Sequence, residues 1–539
     1  MASRNILTIL AVVSSAISLD AADWPHWTGP SGRNAVEEKN LPASFDPGEK
    51  GPLGDVDPAT TKNVKWAADL SKTVYGCPTV ANGRVFLGTN MSAVRDDKRF
   101  TASDGGVVLC LDEATGRRLW QLVAPEREDF PPGVFMTQQK WGVCSSPTVD
   151  GDRVYVVTNG DDVLCLDVHG LANGNDGPFK DEAQFMACPE EPPVELLPTD
   201  ADILWRFDIP GELSVAPHDV ASCSVLICGD VLYTSTSNGV GKQHEEGAVQ
   251  PDAPAFIALD KKTGRFVATE KDGISARLYH TQWSSPSMGK VGDRTLIFLG
   301  GGDGVCYAFE AIAEIPAKSV HLKKVWSYDC NPPHYKLRDG RTIPYYDGDV
   351  RKYRDYQRRK KATREPRLLN DGKGDYVGPS QIIATPVFCN NRVYIAIGQD
   401  PAHGPGKGIL HCIDATKTGD ITESGKVWSC EEIGRTICTV AVADGLVYAA
   451  DLAGKLYCFD AETGAVHWIH ETKHETWGGP LVADGKLYFT TKRSFWILAA
   501  GKEKKVIFTH STGSECAPIA ANGVIYAMLG PRLWALMAK

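Results

Sequence analysis

The sequence of 539 residues has no adjacent cysteines, no C-x-x-C, and no late apolar run long enough to cross a membrane. Each absence removes a class of protein. Without C-x-x-C, and with histidines that lack ligand spacing, a zinc module is not expected, and no metal ligand is assigned. A transmembrane helix needs about 18 unbroken apolar residues, so no membrane span is expected. Positive charge is in short supply: 57 Lys+Arg stand against 67 Asp+Glu, for a formal net charge of −10. That balance argues against nucleic-acid binding. Helical periodicity is missing too, whereas glycine (53) and proline (33) are plentiful.

The amino terminus, "MASRNILTILAVVSSAISLDAADW", has one Arg, an apolar run from Ile6 to Val13, then small residues. This reads as a signal peptide over residues 1–22, cleaved after Ser18 or Ala22, and it places the protein in the periplasm or outside the cell. A buried first strand is the other reading. The first cysteine is Cys77, so a lipoprotein anchor is not expected. Fifteen cysteines in an exported chain ordinarily suggest disulfides. Here Cys110, Cys165, Cys306, Cys412 and Cys458 occupy one equivalent slot, as in "VVLCLD", "DVLCLD" and "KLYCFD". A slot copied five times reads as a small buried core residue.

What the chain does have is repetition. "LDEATGRRLW" (111–120) returns in part as "LDKKTGRFVA" (259–268) and again as "FDAETGAVHW" (459–468). Eight segments read as a short strand, a tight turn and a second strand, among them "PTVANGRVF" from Pro78, "VAVADGLVY" from Val440 and "PIAANGVIY" from Pro518. Their Asn-Gly, Asp-Gly, Gly-Asp or Asn-Asn turns supply the positive φ angles that a tight hairpin needs. A third strand, an "ETG"-type turn and a fourth strand often ending in Trp complete each unit. The Trp offers a large apolar face and one N–H to the next unit.

Eight four-stranded units predict an all-β, eight-bladed propeller. After "PRLWALMAK" the last copy has no fourth strand of its own. "NVKWAADL" (63–70) matches the fourth-strand pattern, so an N-terminal strand is expected to close the last blade and remove its open edge. The domains are then a signal peptide (1–22), an N-terminal extension (23–62) and the propeller (63–539).

The phrase LD-x-x-TG-x-x-x-W, the eight copies and the signal peptide resemble the pyrroloquinoline-quinone-like (PQQ-like) β-propeller repeat proteins. That superfamily includes quinoprotein alcohol dehydrogenases and outer membrane assembly factor B. "DWPHWTGPSGRNAV" resembles the start of secreted bacterial proteins of the same type. The resemblance specifies fold more strongly than chemistry.

In a propeller, loops entering each first strand and those joining strands two and three share one face, while the remaining turns lie on the other. The long, chemically rich loops sort to the first face. They bring His218, Asp219, His244, Glu245, Glu246, His280, Trp283, Asp303, Asp400, His403, His474 and Trp477 to one rim, where binding usually resides. The sector carrying His218, Asp219, Trp283 and Asp303 is the expected cofactor- or ligand-binding region. If the resemblance extends to PQQ with calcium, Trp283 would be the floor and Asp303 or Asp219 an oxygen ligand. The adjacent cysteine pair typical of the family's dehydrogenases is missing.

Two insertions break the pattern. Residues 169–203 form an acidic excursion expected on the opposite face. Residues 331–380 contain "RKYRDYQRRKKATREPR" (351–367), with nine basic and two acidic residues, a solvated segment suited to an anionic partner. The leading functional expectation is a periplasmic or secreted scaffold, with no cofactor, that binds a protein or polymer on its loop-rich face. The alternative is a PQQ- and calcium-dependent alcohol or sugar dehydrogenase.

Overall fold

The computed structural model describes residues 22–49, 57–70, 74–101, 103–130, 134–242, 247–338, 341–342, 379–398 and 407–539. The signal-like segment up to residue 21, the basic run 351–367, and His244, Glu245, Glu246, Asp400 and His403 lie outside them.

Alternating apolar residues and two-residue turns fold into four-stranded antiparallel sheets, each with strand order one-two-three-four outward. Blade one comprises Thr79–Ala81, Arg84–Asn90, Gly105–Asp112 and Arg118–Pro125. Blades two to seven start at Thr148–Asp150, Leu226–Cys228, Ser287–Val291, Val387–Cys389, Ala441–Ala443 and Leu481–Ala483. Blade eight has Ile519–Ala521, Val524–Leu529 and Arg532–Leu536, and its fourth strand is Val64–Asp69, antiparallel to Arg532–Leu536. The ring therefore closes with an N-terminal strand, as an all-β, eight-bladed propeller.

The repeated phrase is the joint between blades. The fourth-strand Trp lies on the turn of the next blade and donates its indole N–H to a backbone carbonyl there. Trp66 reaches Glu113 at 2.9 Å, Trp120 reaches Val168 at 2.9 Å, and Trp205 reaches Lys261 at 3.1 Å. Trp326, Trp428 and Trp468 do the same to Ala415, Ala461 and Gly501. The turn glycine has to be glycine for two reasons. Gly464 sits at φ +73°, and a Cβ there would lie 2.6 Å from the Trp428 ring. Each Trp also leans on the second-strand aromatic of its own blade, as Tyr394 does on Trp428 at 6.1 Å between centroids.

Blades three and seven lack the Trp, and other segments fill those joints. At blade three Ile312 and Ile315 pack against the cluster of Tyr233 and Phe256, with Ile312 N–H donating to the Tyr233 hydroxyl at 2.8 Å, and Val320–His321 adds an exposed parallel strand outside. At blade seven the filler is Phe45, whose ring lies 5.4 Å from Phe508 and 6.3 Å from Trp534. The N-terminal extension also crosses the channel. Trp24 pairs with Val80, the Pro25 carbonyl accepts from Val149 N–H, and the Arg33 carbonyl accepts from Val442 N–H. Ala35–Val36 then runs parallel to Leu481–Ala483. These partners are first strands of blades one, two, six and seven, so the extension closes the inside of the ring.

One placement differs from the sequence reading. The acidic excursion leaves the third strand of blade two on the opposite face but does not stay there. It climbs the outer edge of blades one and two. Cys188 lies 3.5 Å from Ser103, and Arg99 grips the buried Asp200 at 2.6 Å. Burying Phe179, Phe185 and Met186 against the blade-one core drives this path.

Candidate ligand site at the channel mouth

With the extension filling the channel from one side, a cavity of about 140 Å³ remains at the loop-rich end. Residues just before or at the first strands line it, and Trp27 of the extension contributes from within the channel, fixed by its indole N–H to Thr385 Oγ1 at 2.9 Å. Tyr75, Trp141 and Trp477 form one wall: Tyr75 stacks on Trp477 at 5.2 Å and 20°, and meets Trp141 at 5.3 Å. Burial raises the Tyr75 phenol above its ordinary value, which keeps it neutral. Trp283, from blade four, lines the cavity too, its indole N–H bonded to the Val220 carbonyl at 2.9 Å. Among the described residues Glu515 is the one charged lining residue, and its carboxylate lies 3.9 Å from Lys492. Lys492 in turn sits over the Trp477 ring at 4.8 Å.

Beside Trp283 the structure brings together His218, Asp219 and His280. The His280 ring is 5.2 Å from Trp283 and 4.5 Å from His218. Four loops make this sector one fabric: Pro217 bridges Asn238, Gly239 bridges Thr281, Val240 N–H donates to the His280 carbonyl, and Tyr279 N–H to that of Gly302. Gly239 is required by closeness, since a Cβ would lie 2.5 Å from the His218 Cβ. Asp219 takes a left-handed φ of +60°, which Asp tolerates better than most residues.

Asp303 shares this face but not this group. Its carboxylate is buried, accepts from the Tyr307 hydroxyl at 2.7 Å and pairs with Arg277 at 2.9 Å. Burial pushes its pKa up, with Arg277 and Tyr307 opposing. Blade six repeats the device, where Asp451 accepts from Tyr457 at 2.8 Å. Asp303 is thus committed to holding a turn.

Sequence reasoning passed over Trp27, Tyr75 and Trp141. The "HWTG" Trp of the extension lies outside the repeats, so no register placed it in the channel. Tyr75 and Trp141 precede first strands, as Trp283 does, and that shared position was the available signal.

The geometry defines an eight-bladed β-propeller with an aromatic pocket at the loop-rich end of its channel. The sequence matches the family described as outer membrane protein assembly factor BamB over residues 31–131, 87–173 and 406–528, together just under half of the chain. That match and the eight-bladed fold make the chain similar to the PQQ-like β-propellers. No curated protein matches it. Among solved structures, a europium-containing methanol dehydrogenase is similar at 12% identity, covering 94% of this chain and 89% of its own, with a TM-score of 0.52. BamB from Moraxella catarrhalis matches at 14% identity, 87% and 98% coverage, and a TM-score of 0.47. A quinohemoprotein alcohol dehydrogenase from Comamonas testosteroni gives 12%, 96%, 81% and 0.46. At such identities the likeness is one of fold. No helix among the described residues is long and apolar enough to cross a membrane.

Proposed function

We propose that the protein is an exported binding propeller, periplasmic or secreted, whose channel mouth holds a flat ring offered by a protein or polymer ligand. The observation that carries this reading is the ring of Trp27, Tyr75, Trp141, Trp283 and Trp477 around one cavity. Aromatic walls with few polar groups are what concave ligand sites usually present. A cavity of about 150 Å³ suffices for one benzene-sized ring, so the mouth suits one sugar or aromatic ring of a longer chain. The export part rests on the signal-like sequence of Ile6 to Val13. The basic run 351–367 adds a second contact, for an anionic portion of the partner.

The same lining weighs against the quinoprotein alternative. PQQ carries several carboxylates, and calcium takes six to eight oxygen ligands. Glu515 is the lone carboxylate in the lining, which includes no Asp, Asn, Lys or Arg among the described residues. That donor set does not fit PQQ with calcium.

Intrinsic tryptophan fluorescence, titrated with linear polysaccharides and aromatic-rich peptides, tests the reading. A saturable change is expected, weakened at least about tenfold by Trp283→Ala or Trp477→Ala, as for aromatic anchors at interfaces. Unaltered affinity in both variants would place the site elsewhere. A calorimetric titration with PQQ and calcium is expected to be flat, and stoichiometric uptake would favour the dehydrogenase.

A further inference from the structure

From the way His218, Asp219 and His280 converge, we propose a site for one first-row divalent transition-metal ion of the zinc type, bound by two imidazoles and one carboxylate. The inference stands apart from the ring-binding reading, because it uses none of the cavity's walls as ligands.

The three residues offer ligand atoms that all lie within 4.8 Å of one another. Zinc holds nitrogen at about 2.0–2.1 Å and carboxylate oxygen at about 2.0–2.2 Å, so ligand atoms around one ion lie roughly 3–4 Å apart. His218 Nε2 and Asp219 Oδ2, at 3.6 Å, already match this spacing. The wider pairs, within 4.8 Å, have about 1–2 Å to close, a shift that changes of side-chain torsion supply.

The surroundings prepare the ligands as metal sites require. His218 Nδ1 lies 2.6 Å from the Val240 carbonyl oxygen. A carbonyl accepts only, so Nδ1 carries the proton, and Nε2 is the nitrogen that faces Asp219. A ligand imidazole oriented by a backbone carbonyl on its other nitrogen is the usual outer-shell arrangement. The carboxylate is oriented likewise: Thr137 Oγ1 donates to Asp219 Oδ1 at 2.9 Å, leaving Oδ2 towards His218. Backbone bonds fix the frame, with Asp219 N–H donating to the Phe135 carbonyl and Gln138 N–H to that of Asp219.

The donor set selects the ion. Two imidazole nitrogens suit zinc and its first-row neighbours, whereas calcium and magnesium prefer oxygen throughout. Both histidines are buried, His218 at 0% and His280 at 1% exposure, while Asp219 is partly exposed and gives the ion its approach from solvent. The site is therefore a closed pair of nitrogens beside one accessible oxygen. Its position next to Trp283 sets a cation behind one wall of the cavity.

The test uses the full chain, stripped with chelator and titrated with Co²⁺ and with Zn²⁺. One Co²⁺ per chain is expected, with visible d–d absorption, displaced by Zn²⁺ and left in place by excess Ca²⁺. Added Zn²⁺ should raise the melting temperature of the wild type. His280→Ala and Asp219→Asn should each abolish that rise and the cobalt spectrum, while Thr137→Val weakens binding about tenfold or more through the carboxylate it orients. His334→Ala, at an exposed histidine far along the chain, should leave uptake unchanged. Should His280→Ala fail to fold, Asp219→Asn and the cobalt spectrum decide. No cobalt uptake, uptake unchanged in Asp219→Asn, or preference for Ca²⁺ would overturn the proposal.

Discussion

Gly464 shows how one residue carries a joint between blades. It meets two demands at once: a left-handed φ of +73°, and room for the Trp428 ring, which a Cβ would approach to 2.6 Å. Gly485 meets only the first, at φ +65° with nothing within 4 Å of its would-be Cβ. Gly485→Ala should therefore lose about 1 kcal/mol for backbone strain. Gly464→Ala should lose that and a further 1–3 kcal/mol, roughly, for overpacking. Equal melting temperatures for the two variants would show that the Trp does not bear on the turn. His411 is informative in a different way. Its ring is buried between the Tyr328 hydroxyl at 3.2 Å and the Cys330 carbonyl at 2.9 Å, and burial lowers its pKa to about 4. The folded value lies below the unfolded one, near 6.5, so between those values the unfolded chain binds a proton that the folded chain refuses. Stability is full above pH 6.5 and falls as the pH drops towards 4, by about 2 kcal/mol at pH 5. His26, also lowered to about 4 by burial, acts in the same direction, whereas Asp162, raised by burial to about 6, opposes it. Thermal melts at pH 7 and pH 5 should show His411→Gln losing less stability on acidification than the wild type. The same loss in both would remove His411 from the account.

The strand Val64–Asp69 joins the two ends of the ring. It pairs with Arg532–Leu536, places Trp66 on the blade-one turn, and ties Asp69 to Arg532 at 2.5 Å. Deleting residues 63–70 should expose the outer edge of blade eight, lower the melting temperature and promote association. A monomeric elution profile with an unchanged melt would sink the closure role. The strand was legible in the sequence because it copies the fourth-strand pattern, and so were the eight blades and their Trp–Gly joints. The path of the extension was not. Residues 23–62 belong to no repeat, so nothing in their spacing showed that Trp24, Trp27 and Ala35–Val36 enter the ring. The acidic excursion misled for a related reason: its point of departure was readable, but its climb depends on Phe179, Phe185 and the pairing of Arg99 with Asp200, none of which has a period. At the site, His218 and Asp219 were singled out through loop position. Their meeting with His280 depends on the bridge between Gly239 and Thr281, a contact between loops that no linear spacing records.

At the scale of the whole molecule, the thiols report how the ring opens. Cys110, Cys165, Cys306, Cys412 and Cys458 sit in third strands of five different blades, each at 0% exposure. Burial pushes Cys165 and Cys458 up to about 12, and Cys412 to about 11. The reactive thiolate is therefore scarce at neutral pH, and the sulfur is out of reach as well. Cys228, Cys389 and Cys430 are only partly buried. A maleimide should label those first in the native chain and reach the five third-strand cysteines only on unfolding. Two features argue that the five appear together. Blade eight borrows a strand from the other end of the ring, and the extension bonds to the first strands of blades one, two, six and seven, so a blade there cannot leave without breaking contacts elsewhere. Mass spectrometry of labelled peptides across a denaturant series should then give one shared midpoint for the five. A midpoint for Cys306 or Cys412 well below that for Cys110 would show that blades four and five, which the extension contacts less, open on their own.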